Sequence, residues 1–144
     1  MRIALEEARI AADHGDIPVG AVIVREGELI ARAGNRREAD GDPTAHAEII
    51  ALREAAASLG TRRLSGCTLY VTLEPCPMCA GAIALARPDA VIFGAHDERT
   101  GCCGSVYRLT EDPRLGLGTV SCHGGILAAE CAALLEDFFT SRRK

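Results

Sequence analysis

Residues 67–95, CTLYVTLEPCPMCAGAIALARPDAVIFGA, restrict the fold of this chain more than any other stretch. The apolar run CTLYVTLEP reads as a buried strand that stops at Pro75. PMCAGAIALAR reads as a short helix with Pro77 at or near its first position, where a missing N–H costs nothing. AVIFGA reads as a second strand. Strand, helix, strand in that order predicts parallel pairing, with helices laid on a sheet.

The flanking sequence predicts further layers. Arg2–His14 has a helical period, with Ile3, Ala4, Ala8 and Ala11 on one face and Gly15 as a stop. VGAVIVREGELIARAG predicts a hairpin, Val19–Val24 and Glu28–Ala33 around a Glu-Gly turn. NRREADGDP reads as a polar loop. Thr44 is a fair N-cap for the next helix, and Gly60 ends it. HDERTGCCGS reads as a loop, TVSCHG as a short last strand, and AAECAALLEDFFTSRRK as a closing helix with basic residues in its final turn. No repeat or linker interrupts the 144 residues, so 1–144 reads as a single α/β domain, helices on a mixed sheet. With 48% apolar residues but only five aromatic ones, the core must be built from Ile, Leu, Val and Ala.

The N-terminal stretch MRIALEEARIAADHG carries glutamates where a signal peptide would be apolar, and no apolar run reaches membrane-spanning length. These features lead us to expect a soluble cytoplasmic protein. Its seven cysteines should then be reduced or metal-bound rather than paired.

Two of those cysteines carry chemistry. Cys76 and Cys79 stand at i and i+3 at a helix start, a spacing that lets both thiolates reach one ion, and the helix N-terminus favours the anionic form. His46, also at a helix start, supplies a third ligand. Three protein ligands leave the fourth position open, the pattern of a catalytic zinc, which lowers the pKa of bound water from near 16 to about 7. Glu48, beside the ligand but free of the metal, suits a proton shuttle. Taken alone, Cys-x-x-C could be a redox pair or half of a structural zinc site completed by Cys102, Cys103, Cys122 or His123. His-Ala-Glu together with Pro-Cys-Pro-Met-Cys narrows the choice.

These motifs follow the H-x-E…P-C-x-x-C signature of zinc-dependent nucleobase deaminases. The stretches IPVGAVIV, GNR, DPTAHAEIIALR, TLYVTLEPCPMCAGAI, VIFGAHDERTG and GGILAAECAALLEDFF resemble, in order and spacing, the bacterial tRNA-specific adenosine deaminases of the cytidine/deoxycytidylate deaminase-like zinc family. The resemblance implies a cytidine deaminase-like three-layer α/β/α sandwich with a five-stranded mixed sheet. It implies hydrolysis of adenosine to inosine at wobble position 34 of a tRNA anticodon, by a homodimer holding one Zn2+ per subunit. It implies zinc ligands His46, Cys76 and Cys79, and Glu48 as the shuttle. Asn35 matches the asparagine that touches the purine, Ile17 and Pro18 the pocket wall, and Asp97 the loop that holds the neighbouring nucleotide. Asn35 reads equally as a turn residue after Gly34, and Asp97 as a solvated loop charge. Cys102 and Cys103 replace small residues common in the family and read as reduced, partly buried thiols. After EDPRL the family usually carries an Asn-His or similar polar pair; here the chain reads GLGTVSC, so RNA contacts there are expected to differ.

A formal net charge of −4 excludes a polycation that coats nucleic acid, yet binding follows local potential. The cations cluster as Arg36–Arg37, Arg62–Arg63 and Arg142–Arg143–Lys144, and could serve an anticodon stem-loop or simply be solvated. Two other readings stay open: a deaminase of a free base such as guanine or cytosine, and a non-catalytic deaminase-like subunit, against which the intact Glu48 argues.

Overall fold

The computed structural model describes residues 1–142; Arg143 and Lys144, two of the three terminal cations, lie outside the described residues. Five strands form one sheet in the order β2-β1-β3-β4-β5. β1 (Gly20–Arg25) and β2 (Glu28–Gly34) make the expected hairpin, turning at Glu26 and Gly27, both with positive φ. β1 also runs antiparallel to β3 (Cys67–Leu73). β3 pairs in parallel with β4 (Ala90–Ala95), and β4 with β5 (Ser121–His123). The sheet is therefore mixed, with the crossover unit at its centre.

Alternation along the strands divides the helices between two faces. Ala21, Ile23, Leu69, Val71, Val91 and Phe93 face the larger core, where α3 (Ala47–Leu59) contributes Ala47, Ala51 and Leu52 and α4 (Pro77–Ala86) contributes Ile83. The opposite face takes α1 (Arg2–Asp13) and α5 (Ala128–Arg142). There the strands present glycine. A Cβ at Gly20 would overlap the Ala4 carbonyl, one at Gly34 would press on the Glu7 carbonyl, and one at Gly94 would overlap Cys131. Those glycines let α1 and α5 lie close to the sheet. The buried face of α1 is Ala4, Leu5, Ala8 and Ala11, while Ile3 is exposed; three of the four predicted residues are right, and Leu5 takes the place of Ile3.

Two other expectations change. The segment read as a polar loop contains a short helix, α2 (Arg37–Asp40). Thr44 does not cap α3; its N–H and hydroxyl both donate to Asp42 Oδ1, and the N-cap position belongs to His46, in extended conformation. Pro77 opens α4 and Gly60 closes α3 in the left-handed region, both as expected.

Candidate active site

α3 and α4 both begin at the same end of the sheet, so His46 and Cys76, each at an N-cap position, meet although 30 residues separate them. Cys79 follows one helical turn after Cys76. His46 Nδ1 lies 3.6 Å from Cys76 Sγ and 3.4 Å from Cys79 Sγ. Among the described residues these three are the group whose donor atoms converge to hold a metal. The spacing fits zinc: bonds of ~2.3 Å to sulfur and ~2.0 Å to nitrogen at a tetrahedral angle subtend an edge of about 3.5 Å. The site is also electrostatically poised for a cation. A hydrogen bond from the Cys79 thiol, aided by His46, brings Cys76 down to about 4, while the same bond pushes Cys79 up. His46 is raised by its contact with Cys76.

Glu48, in the first turn of α3, is buried, and burial pushes its carboxyl above the usual carboxylate range. It shares with His46 and Cys76 a cavity of about 570 Å³. Asn35 and Ile17 line that cavity, and Val19 with them; Pro18, between Ile17 and Val19, is buried and is not part of the lining. Asn35 serves two roles at once. Its Oδ1 accepts the Arg37 N–H, the bond of an Asx turn, and its Nδ2 donates to the Ile17 carbonyl, leaving one amide hydrogen for a ligand. Asp97 borders the cavity from the far side, but its carboxylate is turned into its own loop, accepting from Arg99 N–H, Thr100 N–H and the Thr100 hydroxyl.

Several residues at the site are not singled out as site residues from the sequence. Arg37, Arg99 and Phe139 reach the cavity from α2, from the loop after β4 and from α5. Asp16 is completely shielded; it accepts the Glu38 and Ala39 N–H groups and so caps α2 from a distance. Cys102 and Cys103 are free thiols, more deeply buried than expected. Of the terminal cations, Arg142 donates to the Gly15 carbonyl at 2.6 Å and covers the Phe138 ring.

Residues 1–95 match the model of the cytidine and deoxycytidylate deaminase zinc-binding region. The chain belongs to this family. It is 47% identical over 144 residues to the tRNA-specific adenosine deaminase of Bacillus subtilis, covering all of this chain and 89% of that one. A solved structure from work on A-to-I editing by tRNA:A34 deaminases superimposes with a TM-score of 0.89 at 44% identity, over 94% of this chain and 97% of that one. The guanine deaminase of Nitrosomonas europaea is similar with a TM-score of 0.80 at 26% identity, over 95% and 81% of the two chains. The five-stranded sheet with its flanking helices is the cytidine deaminase-like fold.

Proposed function

We propose that the chain is a zinc-dependent deaminase converting adenosine to inosine at the wobble position of a tRNA anticodon, with release of ammonia. The observation that carries this reading is a buried carboxylate, Glu48, sharing one cavity with His46 and Cys76, whose donor atoms converge with that of Cys79. Zinc held by those three residues supplies Lewis acidity that activates water near neutral pH. Glu48 accepts the proton that the attacking water loses. It passes that proton to the ring nitrogen, then takes the proton left on the newly added hydroxyl and hands it to the amine as the C–N bond breaks and the carbonyl forms, so the overall change is adenosine plus water to inosine plus ammonia. Burial, which raises the Glu48 carboxyl above its usual range, makes it a stronger base toward water than an exposed carboxylate. Asn35, fixed by its own turn, orients the base with its remaining amide hydrogen, and Ile17 with Val19 excludes water from the ring.

The surroundings favour RNA over a free base. A second cleft of about 450 Å³ adjoins the first, sharing Ile17, Asn35, Arg37 and Phe139 and adding His14 and Phe138. Aromatic faces and guanidinium groups suit flanking nucleotides splayed from a loop. The guanine deaminase likeness keeps free-base deamination as the second reading. α4 exposes Met78 and Leu85 on either side of Gly81, whose Cβ position has no neighbour within 4 Å, and this apolar strip supports a homodimer. Seven free thiols suit the cytoplasm, and no described helix is long and apolar enough to cross a membrane. The test is mass analysis of an anticodon stem-loop bearing A34 after incubation with the zinc-loaded protein, beside guanine, cytosine and adenine. Inosine in the stem-loop is the expected product. Conversion of guanine or cytosine with an inert stem-loop would replace the tRNA reading by the free-base one.

A further inference from the structure

Residues 96–108 connect β4 to a 3-10 turn at Leu109–Glu111; their first part, His96–Ser105, forms one wall of the cavity with Asp97, Glu98, Arg99 and Thr100, yet it has no helix or strand of its own. Its inward-pointing donors converge on one side chain. Glu74, the last residue before Pro75–Cys76, is fully shielded from solvent. Its Oε1 accepts the Asp97 N–H at 3.1 Å and the Ser105 hydroxyl at 2.5 Å. Its Oε2 accepts the Cys103 N–H at 3.1 Å and the Ser105 N–H at 3.0 Å. His96 Nδ1 lies 3.7 Å from Oε1. At Gly101 a Cβ would overlap the carboxyl group itself, so the loop backbone rests directly on it. A carboxylate offers about four acceptor sites, and here four donors from three points of the loop fill them.

We infer that Glu74 is a positioning residue: an internal anion that folds His96–Ser105 into a wall and so presets where Asp97, Arg99 and Thr100 meet the substrate. The chemistry uses Glu48, and Glu74 acts only through the loop. Glutamine at this position is isosteric but cannot replace it. Whichever way the amide turns, its NH2 faces N–H or hydroxyl donors at one of the two oxygens. The loop then samples other conformations, and apparent substrate affinity falls by the fraction that stays competent.

This inference rests on the tRNA deaminase reading for its substrate, so the experiment has one arm that needs no substrate. Hydrogen exchange by mass spectrometry on zinc-loaded wild type and Glu74→Gln should show faster exchange confined to residues 96–108, with β1 and β3 unchanged and zinc content equal. Single-turnover kinetics on the A34 stem-loop should show the half-saturating RNA concentration rising about tenfold, as it does when one molecule in ten is competent. The rate at saturation should stay within about threefold, which corresponds to less than 1 kcal/mol. A merely structural residue would lower zinc content and both kinetic constants together. Unchanged exchange in 96–108 overturns the inference, and so does faster exchange with unchanged half-saturation. If wild type leaves the stem-loop untouched, the tRNA reading has failed and the exchange arm alone decides whether Glu74 anchors the loop. Should Glu74→Gln not fold, Ser105→Ala removes one donor group and Gly101→Ala pushes on the carboxyl from the loop side. Each should raise exchange in the same segment, and normal exchange in both overturns the proposal.

Discussion

Replacing Asp16 by alanine tests how far the site depends on a residue outside its motifs. Asp16 accepts the Glu38 N–H at 2.7 Å on one oxygen and the Ala39 N–H at 3.1 Å on the other, and His14 Nδ1 lies 3.1 Å away. The four-residue helix α2 has no capping side chain of its own, so its exposed N–H groups depend on this carboxylate. Backbone bonds to an ionised acceptor are worth ~1.5–3 kcal/mol each, and water recovers part of that once the acceptor is gone, leaving a loss of about 3 kcal/mol for the pair. In a chain of this size each kcal/mol moves the melting temperature by roughly 2–4 °C, so Asp16→Ala should melt about 6–12 °C below wild type. The assay is thermal unfolding of zinc-loaded protein followed by circular dichroism. Asp16→Asn keeps one acceptor oxygen and should lose about half as much. Because α2 carries Arg37 and follows Asn35, stem-loop affinity should fall more than the rate at saturation. A melting temperature for Asp16→Ala within about 2 °C of wild type would refute the assignment of Asp16 as the cap of α2.

Cys79→Ala should leave protein nearly free of metal by elemental analysis, because two donors cannot replace the convergent three; wild-type zinc content would remove Cys79 from the ligand set. Glu48→Ala should keep zinc and fold while turnover on the stem-loop drops at or beyond the top of the ~10²–10⁴-fold range for general acid–base groups, and a zinc-loaded variant that still turns over would exclude the shuttle role. Gly20→Ala should destabilise by at least ~1–3 kcal/mol, read from urea unfolding, since a Cβ meets the α1 backbone rather than a flexible side chain; unchanged stability would mean that α1 can back away from the sheet at no cost.

What could be read from the sequence was what local pattern determines. The crossover unit is legible because its apolar runs are continuous and its helix begins with proline. The proposed metal ligands and proton shuttle are legible because His46 and Glu48 are close in sequence, as are Cys76 and Cys79. Missing from the sequence is whatever depends on two segments meeting. Nothing near Glu38 predicts a helix there; α2 exists because Asp16, 22 residues earlier, caps it. Thr44 has the chemistry of a cap, but Asp42 is nearer and takes its donors. Ile3 is the more apolar choice for the buried face of α1, yet Gly20 and Gly34 admit a helix backbone at close range, and that geometry favours a face of alanines with Leu5. A glutamate directly after an apolar strand was the one visible sign of Glu74, and its meaning appears only once residues 97–105 fold over it.

His46 and Cys79 stand 33 residues apart, one at the start of the helix packed on the antiparallel edge, the other in the helix of the parallel half. An ion bound between them is also a cross-link. By the chain-closure relation used for disulfides, tying a loop of that length removes entropy from the unfolded chain worth roughly 4 kcal/mol, a large fraction of the stability of an ordinary domain. The difference in melting temperature between metal-stripped and zinc-loaded protein measures that contribution, and near-identical values would show that the cross-link is immaterial. With the cross-link in force, a shortage of zinc acts on abundance as well as on rate. Chains made without the metal open more often and are degraded, instead of accumulating as an intact reserve waiting for its ion.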